Sequence, residues 1–126
     1  MIVGLGMDMV RIDRVWAVLQ RKGPRALTRF FTPAEAERCH GSRHPPESFA
    51  ARFAAKEAFF KALGTGWGIG GAWTDVEVVS ADSGAPTLRL SGRAAALAAA
   101  RGADRVHVTL THTGDTAAAV VVLERC

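Results

Sequence analysis

The segment Ser48-Phe-Ala-Ala-Arg-Phe-Ala-Ala-Lys-Glu-Ala-Phe-Phe-Lys-Ala-Leu63 constrains the fold more than any other. Its alanines and phenylalanines, with Lys56, Glu57 and Lys61, favour one long helix. The run Gly64-Thr65-Gly66-Trp67-Gly68-Ile69-Gly70-Gly71 follows at once. It ends the helix and makes a flexible turn. Helical patterns dominate before this break and strand patterns after it, so the chain reads as α+β. Its 126 residues suffice for one packed core. No linker, repeat or low-complexity stretch divides it, and a single domain over residues 1–126 is predicted.

Before the long helix, Met1 to Asp8 carries Ile2, Val3, Leu5 and Met7 with two glycines. This reads as a short buried strand ending in a polar turn. Ile12, Val15, Trp16 and Leu19 then recur at helical spacing, with Arg14 and Arg21 off the apolar stripe. Thr32-Pro33-Ala34-Glu35 is a capping box with proline at the first helical position, so a short helix starts there and stops before Gly41. His40 to Pro46 reads as a loop. Beyond the glycines, Asp75 to Val79 and Thr87 to Leu90 read as strands joined by the turn Asp82-Ser83-Gly84-Ala85-Pro86. Ala94 to Ala100 is a short helix stopped near Gly102. Val106, Val108 and Leu110 alternate with His107, Thr109 and Thr111, a half-buried strand. Thr113-Gly114-Asp115 turns into a last apolar strand, Ala117 to Leu123. The predicted order is β-α-α-α-β-β-α-β-β.

Charge and composition narrow the classes of function. Hydrophobic residues are 48% and charged residues 22%, a globular balance. No window approaches a membrane span. No basic region precedes an apolar stretch at the N-terminus, so no secretory signal is expected. Cys39 and Cys126 have neither metal nor redox spacing and read as free thiols in a reducing, cytoplasmic compartment. The net charge of +4 favours anionic partners. Without a lysine-rich tail, an aromatic ladder or zinc spacing, it does not point to nucleic acid.

Glu57 and Lys61 lie four apart and share a helix face. On spacing alone they are either a surface ion pair or, with a further carboxylate, part of a phosphate-handling Mg²⁺ site. Asp8 is the candidate second carboxylate, its alternative being a turn or helix-capping residue. Gly66 to Gly71 formally matches a dinucleotide fingerprint but follows a helix instead of a strand, and the match is rejected. His112 reads either as a polar turn residue or as a partner for a phosphate.

These signals fall in an order that resembles the holo-acyl-carrier-protein synthases. Gly4-Leu5-Gly6-Met7-Asp8-Met9-Val10-Arg11-Ile12-Asp13-Arg14 resembles their opening, and Phe31-Thr32-Pro33 with Glu35 their second signature. Arg52-Phe53-Ala54-Ala55-Lys56-Glu57-Ala58, then Lys61-Ala62-Leu63-Gly64-Thr65-Gly66, is similar to their most specific motif. Trp73-Thr74-Asp75-Val76-Glu77-Val78, Gly84-Ala85-Pro86 and Val108-Thr109-Leu110-Thr111-His112-Thr113 follow in the family's order.

The resemblance implies the 4′-phosphopantetheinyl transferase fold and transfer of 4′-phosphopantetheine from coenzyme A to a serine of apo acyl carrier protein. Adenosine 3′,5′-bisphosphate leaves. It implies Mg²⁺ on Asp8 and Glu57, with Lys61 on the coenzyme A phosphates and all three residues catalytic. The serine proton goes to Glu57 or to a metal-bound water, and the motif leaves both open. Arg52, Lys61, Gly64, Thr65 and Gly66 are expected to contact coenzyme A, Arg52 at a phosphate. Pro86, His112 and Thr113 are expected at its adenosine end, from a neighbouring subunit of a homotrimer. Arg14, Val18 and Arg21 are expected to dock the acidic carrier protein.

Overall fold

The computed structural model describes residues 1–66 and 68–126 of the chain. Among them the order is β1 (Ile2–Arg11), α1 (Ile12–Lys22), α2 (Pro24–Phe30), α3 (Pro33–His40) and α4 (Pro45–Leu63). A 3₁₀ turn at Trp73–Asp75 leads to β2 (Val76–Ser80) and β3 (Pro86–Leu90), then α5 (Gly92–Ala100), β4 (Arg105–Thr113) and β5 (Thr116–Glu124). The α+β class and the strand order stand as expected. The additional element is α2, a helix of 7 residues with proline in its first turn, entered through Gly23 at φ 66°. It is too short to carry an apolar repeat, and the Gly23-Pro24 punctuation was its one sequence signal. The long helix also begins earlier than expected, at Pro45 inside the predicted loop, because proline suits a first helical turn.

α4 is the axis of the fold. Ala54, Ala55, Ala58, Phe59, Phe60, Ala62 and Leu63 are buried in one cluster with Trp73, Val76, Val78, Ala94, Ala98 and the inward residues of β5. A helix apolar around most of its circumference must be enclosed. The sheet β1-β5-β4 is antiparallel throughout and lies along α4, while β2 and β3 form a separate hairpin.

β1 departs from the expected buried strand. It runs on to Arg11, and Leu5, Met7 and Met9 are 67%, 52% and 61% exposed on the sheet's outer face. The residues turned to α4 include Gly4, Gly6 and Asp8. A Cβ on Gly4 would collide with the Ala62 carbonyl. One on Gly6 would collide with the Ala58 carbonyl and lie 2.5 Å from the Ala62 amide nitrogen. Strand and helix therefore meet backbone to backbone, which only glycine permits.

On another side of α4, Lys56 and Glu35 are fully buried and joined at 2.7 Å. Lys56 Nζ also donates to the carbonyls of Trp73 (3.1 Å) and Val76 (2.8 Å). Glu35 accepts from the Thr32 amide (2.9 Å), closing the predicted capping box, and from the Val78 amide (2.8 Å). Burial pushes the Lys56 ammonium below its ordinary range, and Glu35 opposes that shift. Lys56→Met would leave Glu35 buried without its cation. It should destabilise the fold by about 3–5 kcal/mol. Urea unfolding checks this, and a loss under 1 kcal/mol (roughly the scale of an exposed pair) would contradict the accounting.

Candidate active site

Asp8 sits in the middle of β1, paired in register with Ala119, and Arg11 occupies the cap position of α1. The turn and helix-cap readings of Asp8 therefore fall. Because side chains alternate along a strand, Asp8 shares the face of Gly4 and Gly6 and meets α4. There Lys61 Nζ donates to Asp8 Oδ1 at 2.8 Å and to the Met7 carbonyl at 3.1 Å. Lys61 is thus paired across 53 residues of sequence, and the expected alternative of a surface pair with Glu57 is overturned. The Asp8 side chain is 13% exposed and that of Lys61 54%, so the pair opens at the surface.

Glu57 is half-buried beside them. Burial raises its carboxyl above the ordinary range, and the Asp8 charge raises it further, against the opposing effect of Lys61. The hydrogen bond that Lys61 donates to Asp8 raises its ammonium above the ordinary range. Two carboxylates whose charges conflict beside one ammonium form a donor set a divalent cation would relieve. Mg²⁺ commonly binds through one or two carboxylates and takes phosphate oxygens and water for the rest. The residues present fit that demand. Asp8 and Glu57 would hold the ion, and Lys61 would be left to face the phosphates.

The remaining expected residues divide into groups. Gly64 closes α4 in the left-handed conformation at φ 82°, with its amide and that of Thr65 donating to the Phe60 carbonyl. Thr65 Oγ1 donates to the Gly66 carbonyl at 3.1 Å. This turn begins one helical turn beyond Lys61. Trp67, within the expected glycine-rich turn, lies outside the described residues.

Arg52 is buried, with Nη1 donating to Ser48 Oγ at 2.9 Å and Nε without a partner among the described residues. It lines a cavity of about 300 Å³ with Arg43, His44, Ser48, Thr111 and His112. His112 thus shares a cavity with the arginine within one chain. Thr113 pairs with Thr116 at the β4–β5 turn, and Pro86 opens β3 on the separate hairpin.

Arg14, Val18 and Arg21 line one groove of about 680 Å³ over α1, floored by Phe30, Phe31 and Phe53. Val18 is half-buried and lines this groove. Sequence reasoning missed the groove's aromatic floor, since it comes from α2, the residue after it and α4.

With a cation on the two carboxylates and a lysine beside them, such a site would suit a pyrophosphate, and fold and site together fit a small protein of the phosphoryl-transfer class. The model of the 4′-phosphopantetheinyl transferase superfamily matches residues 4–121. A holo-[acyl-carrier-protein] synthase of Desulforudis audaxviator is 48% identical over 122 residues, covering 97% of this chain and 92% of the relative. The crystal structure of the Neisseria meningitidis holo-[acyl-carrier-protein] synthase superposes with a TM-score of 0.90 at 30% identity, over 99% of this chain and 100% of that one. The Bacillus anthracis synthase in complex with coenzyme A (3′,5′-ADP) superposes with a TM-score of 0.82 at 34% identity, over 100% of this chain and 99% of that one. The chain belongs to the 4′-phosphopantetheinyl transferase superfamily and, within it, to the holo-[acyl-carrier-protein] synthase family.

The electrostatics make a prediction independent of turnover. In metal-free protein, Asp8→Asn removes the negative charge that opposes ionisation of Glu57 and frees Lys61 to favour it. Both changes act downward, so the Glu57 carboxyl should titrate at lower pH than in the parent. Carbon-13 NMR of the glutamate carboxyls measures this, and an unmoved Glu57 midpoint would place it outside the field of Asp8.

Proposed function

We propose that the chain transfers 4′-phosphopantetheine from coenzyme A to a serine of apo acyl carrier protein, using Mg²⁺ held by Asp8 and Glu57. The carrying observation is the meeting of Asp8, from β1, with Lys61 and Glu57, from α4. The bound cation would supply charge neutralisation on the pyrophosphate. Lys61 holds the same phosphates and aligns them. The serine Oγ forms a bond to the phosphorus that bears the pantetheine arm. The bond from that phosphorus to the bridging oxygen breaks, and adenosine 3′,5′-bisphosphate departs. The serine proton passes to the Glu57 carboxylate or to a water, the two acceptors the motif leaves open. Such transfer asks the protein for position and charge more than for a covalent nucleophile.

Further features support the parts of this reading. The buried Nε of Arg52, without a partner among the described residues, with Arg43, His44 and His112 around the same cavity, suits a phosphate of coenzyme A. Gly64, Thr65 and Gly66 would carry the pyrophosphate end. Pro86 and Thr113 would meet the adenosine end across a subunit boundary. The outer sheet face sets Leu5, Met7 and Met9 in register with Val122, Val120 and Ala118. An apolar surface of this kind favours burial against further copies of the chain, here as a homotrimer. Arg14 and Arg21 rim an aromatic groove that suits an acidic carrier protein. No helix among the described residues is long and apolar enough to cross a membrane. The free thiols of Cys39 and Cys126 suit action in the cytoplasm.

The test is mass spectrometry of apo acyl carrier protein incubated with the chain, coenzyme A and Mg²⁺. The carrier should gain one phosphopantetheine arm. Asp8→Asn and Glu57→Gln should each slow transfer by about 10²–10³ while the protein stays folded. Arg14→Glu should raise the KM for carrier and leave that for coenzyme A unchanged. Light scattering should give the mass of three chains. An unmodified carrier under these conditions, or near-parental rates in both carboxylate variants, would refute the reading.

A further inference from the structure

One side chain outside the site ties together the two elements that build it. Arg101 is the residue that caps α5. Its guanidinium reaches across to donate through Nη1 to the Leu63 carbonyl and through Nη2 to the Val3 carbonyl at 3.1 Å. Neither acceptor is an ordinary one. Leu63 is the last residue of α4, where carbonyls lack partners within the helix. Val3 lies in the register shift between Ile2 and Gly4, outside the β1–β5 pairing. A cation at a helix C-terminus is also favoured by the helix dipole. Arg101 Nη1 would lie 3.6 Å from a Cβ placed on Gly64, so the guanidinium packs against the turn that carries Gly64, Thr65 and Gly66.

We propose that Arg101 is a positioning residue for coenzyme A: it clamps the start of β1 to the end of α4 and thereby fixes the Gly64–Gly66 turn and the approach of Asp8 to Lys61. The inference rests on those residues being the coenzyme A site. Gly4 and Gly6 let the strand come close to the helix, but close contact alone does not stop it sliding along α4. Arg101 pins the end at which the phosphate-facing turn begins. A planar guanidinium can hold two carbonyls at once through separate N–H groups, whereas a lysine in its place is a single flexible point donor. Arg101 touches neither Asp8 nor Lys61 in the structure; its action passes through the backbone it holds.

The experiment compares the parent with Arg101→Ala, Arg101→Gln, Arg101→Lys and, in parallel, Lys61→Met, each checked for folding by circular dichroism. Arg101→Ala should raise the KM for coenzyme A about tenfold, within the roughly hundredfold that an ångström of misplacement can cost. The KM for carrier protein should stay at the parental value. Arg101→Lys should recover part of the loss. Hydrogen exchange at the Gly64 and Thr65 amides should quicken in Arg101→Ala, with the centre of α4 unaffected. If Arg101→Ala does not fold, Arg101→Gln carries the same comparison.

A parental coenzyme A KM in Arg101→Ala, or an equal rise in both KM values, overturns the proposal. So does unchanged exchange at Gly64 and Thr65. Lys61→Met separates the two levels of failure. If it abolishes transfer while Arg101→Ala does not alter coenzyme A binding, only the role of Arg101 falls. If Lys61→Met also transfers at the parental rate, the site reading fails and the role of Arg101 falls with it.

Discussion

The contact between β1 and α4 is made by backbone, and the site depends on it. Gly4 lies against Ala62 and Gly6 against Ala58, so the strand runs antiparallel to the helix. Two strand residues advance about 6.8 Å and four helix residues about 6 Å, so the two repeats keep step over this span. Asp8 is the next residue on the same strand face. Its level on α4 lies N-terminal to Ala58, where Glu57 stands one residue earlier. Helical side chains lean towards the helix N-terminus, which brings the stem of Lys61 back along α4 to Asp8. A larger residue at either glycine would move Asp8 outward by the thickness of a side chain. The resulting cluster holds two carboxylates close enough for the Asp8 charge to disfavour ionisation of Glu57, a tension that a bound cation would relieve.

Lys56 and Glu57 are consecutive, and the fold puts them to opposite uses. Lys56 points inward to a carboxylate, two carbonyls and no solvent. Glu57 points to the edge where Asp8 and Lys61 open to water. Rotating α4 about its axis would strand the buried ammonium and leave Glu35 without its cation, at a cost of several kcal/mol. The buried pair therefore sets the angle at which Glu57 and Lys61 leave the helix. The capping box of α3 belongs to the same arrangement, since Glu35 serves Thr32 and Lys56 together. Thr32 in turn donates to Glu77 at 2.6 Å and ties in the β2–β3 hairpin.

Much of this was legible where the signal is local. The capping box at Thr32 to Glu35, the glycine stop at Gly64 and the alternation of Val106, Val108 and Leu110 are short-range patterns, and each was found in place. The family resemblance brought Asp8, Glu57 and Lys61 together in advance, although spacing alone had left Glu57 and Lys61 open as a surface pair. The pairing of Lys61 with Asp8 spans 53 residues and no periodicity encodes it. β1 was misread for a related reason. Its apolar residues suggest burial, but one sheet face is covered by α4 and the other is left apolar and open in the single chain. Lys56 was read as a helix former and a motif position, with no role of its own; its burial depends on Glu35, 21 residues away. Arg101 gave no signal, because its two acceptors are backbone carbonyls.

The central claim is that Asp8 and Lys61, brought together by the glycine contact, act as one unit in transfer. A double-mutant cycle on the phosphopantetheine transfer rate tests it most directly, using Asp8→Asn, Lys61→Met and the two combined. Residues acting as a unit are strongly non-additive. The account predicts that the double variant is about as slow as the slower single variant and no slower. A double variant whose loss is the product of the two single losses would contradict it, because that is the behaviour of independent sites.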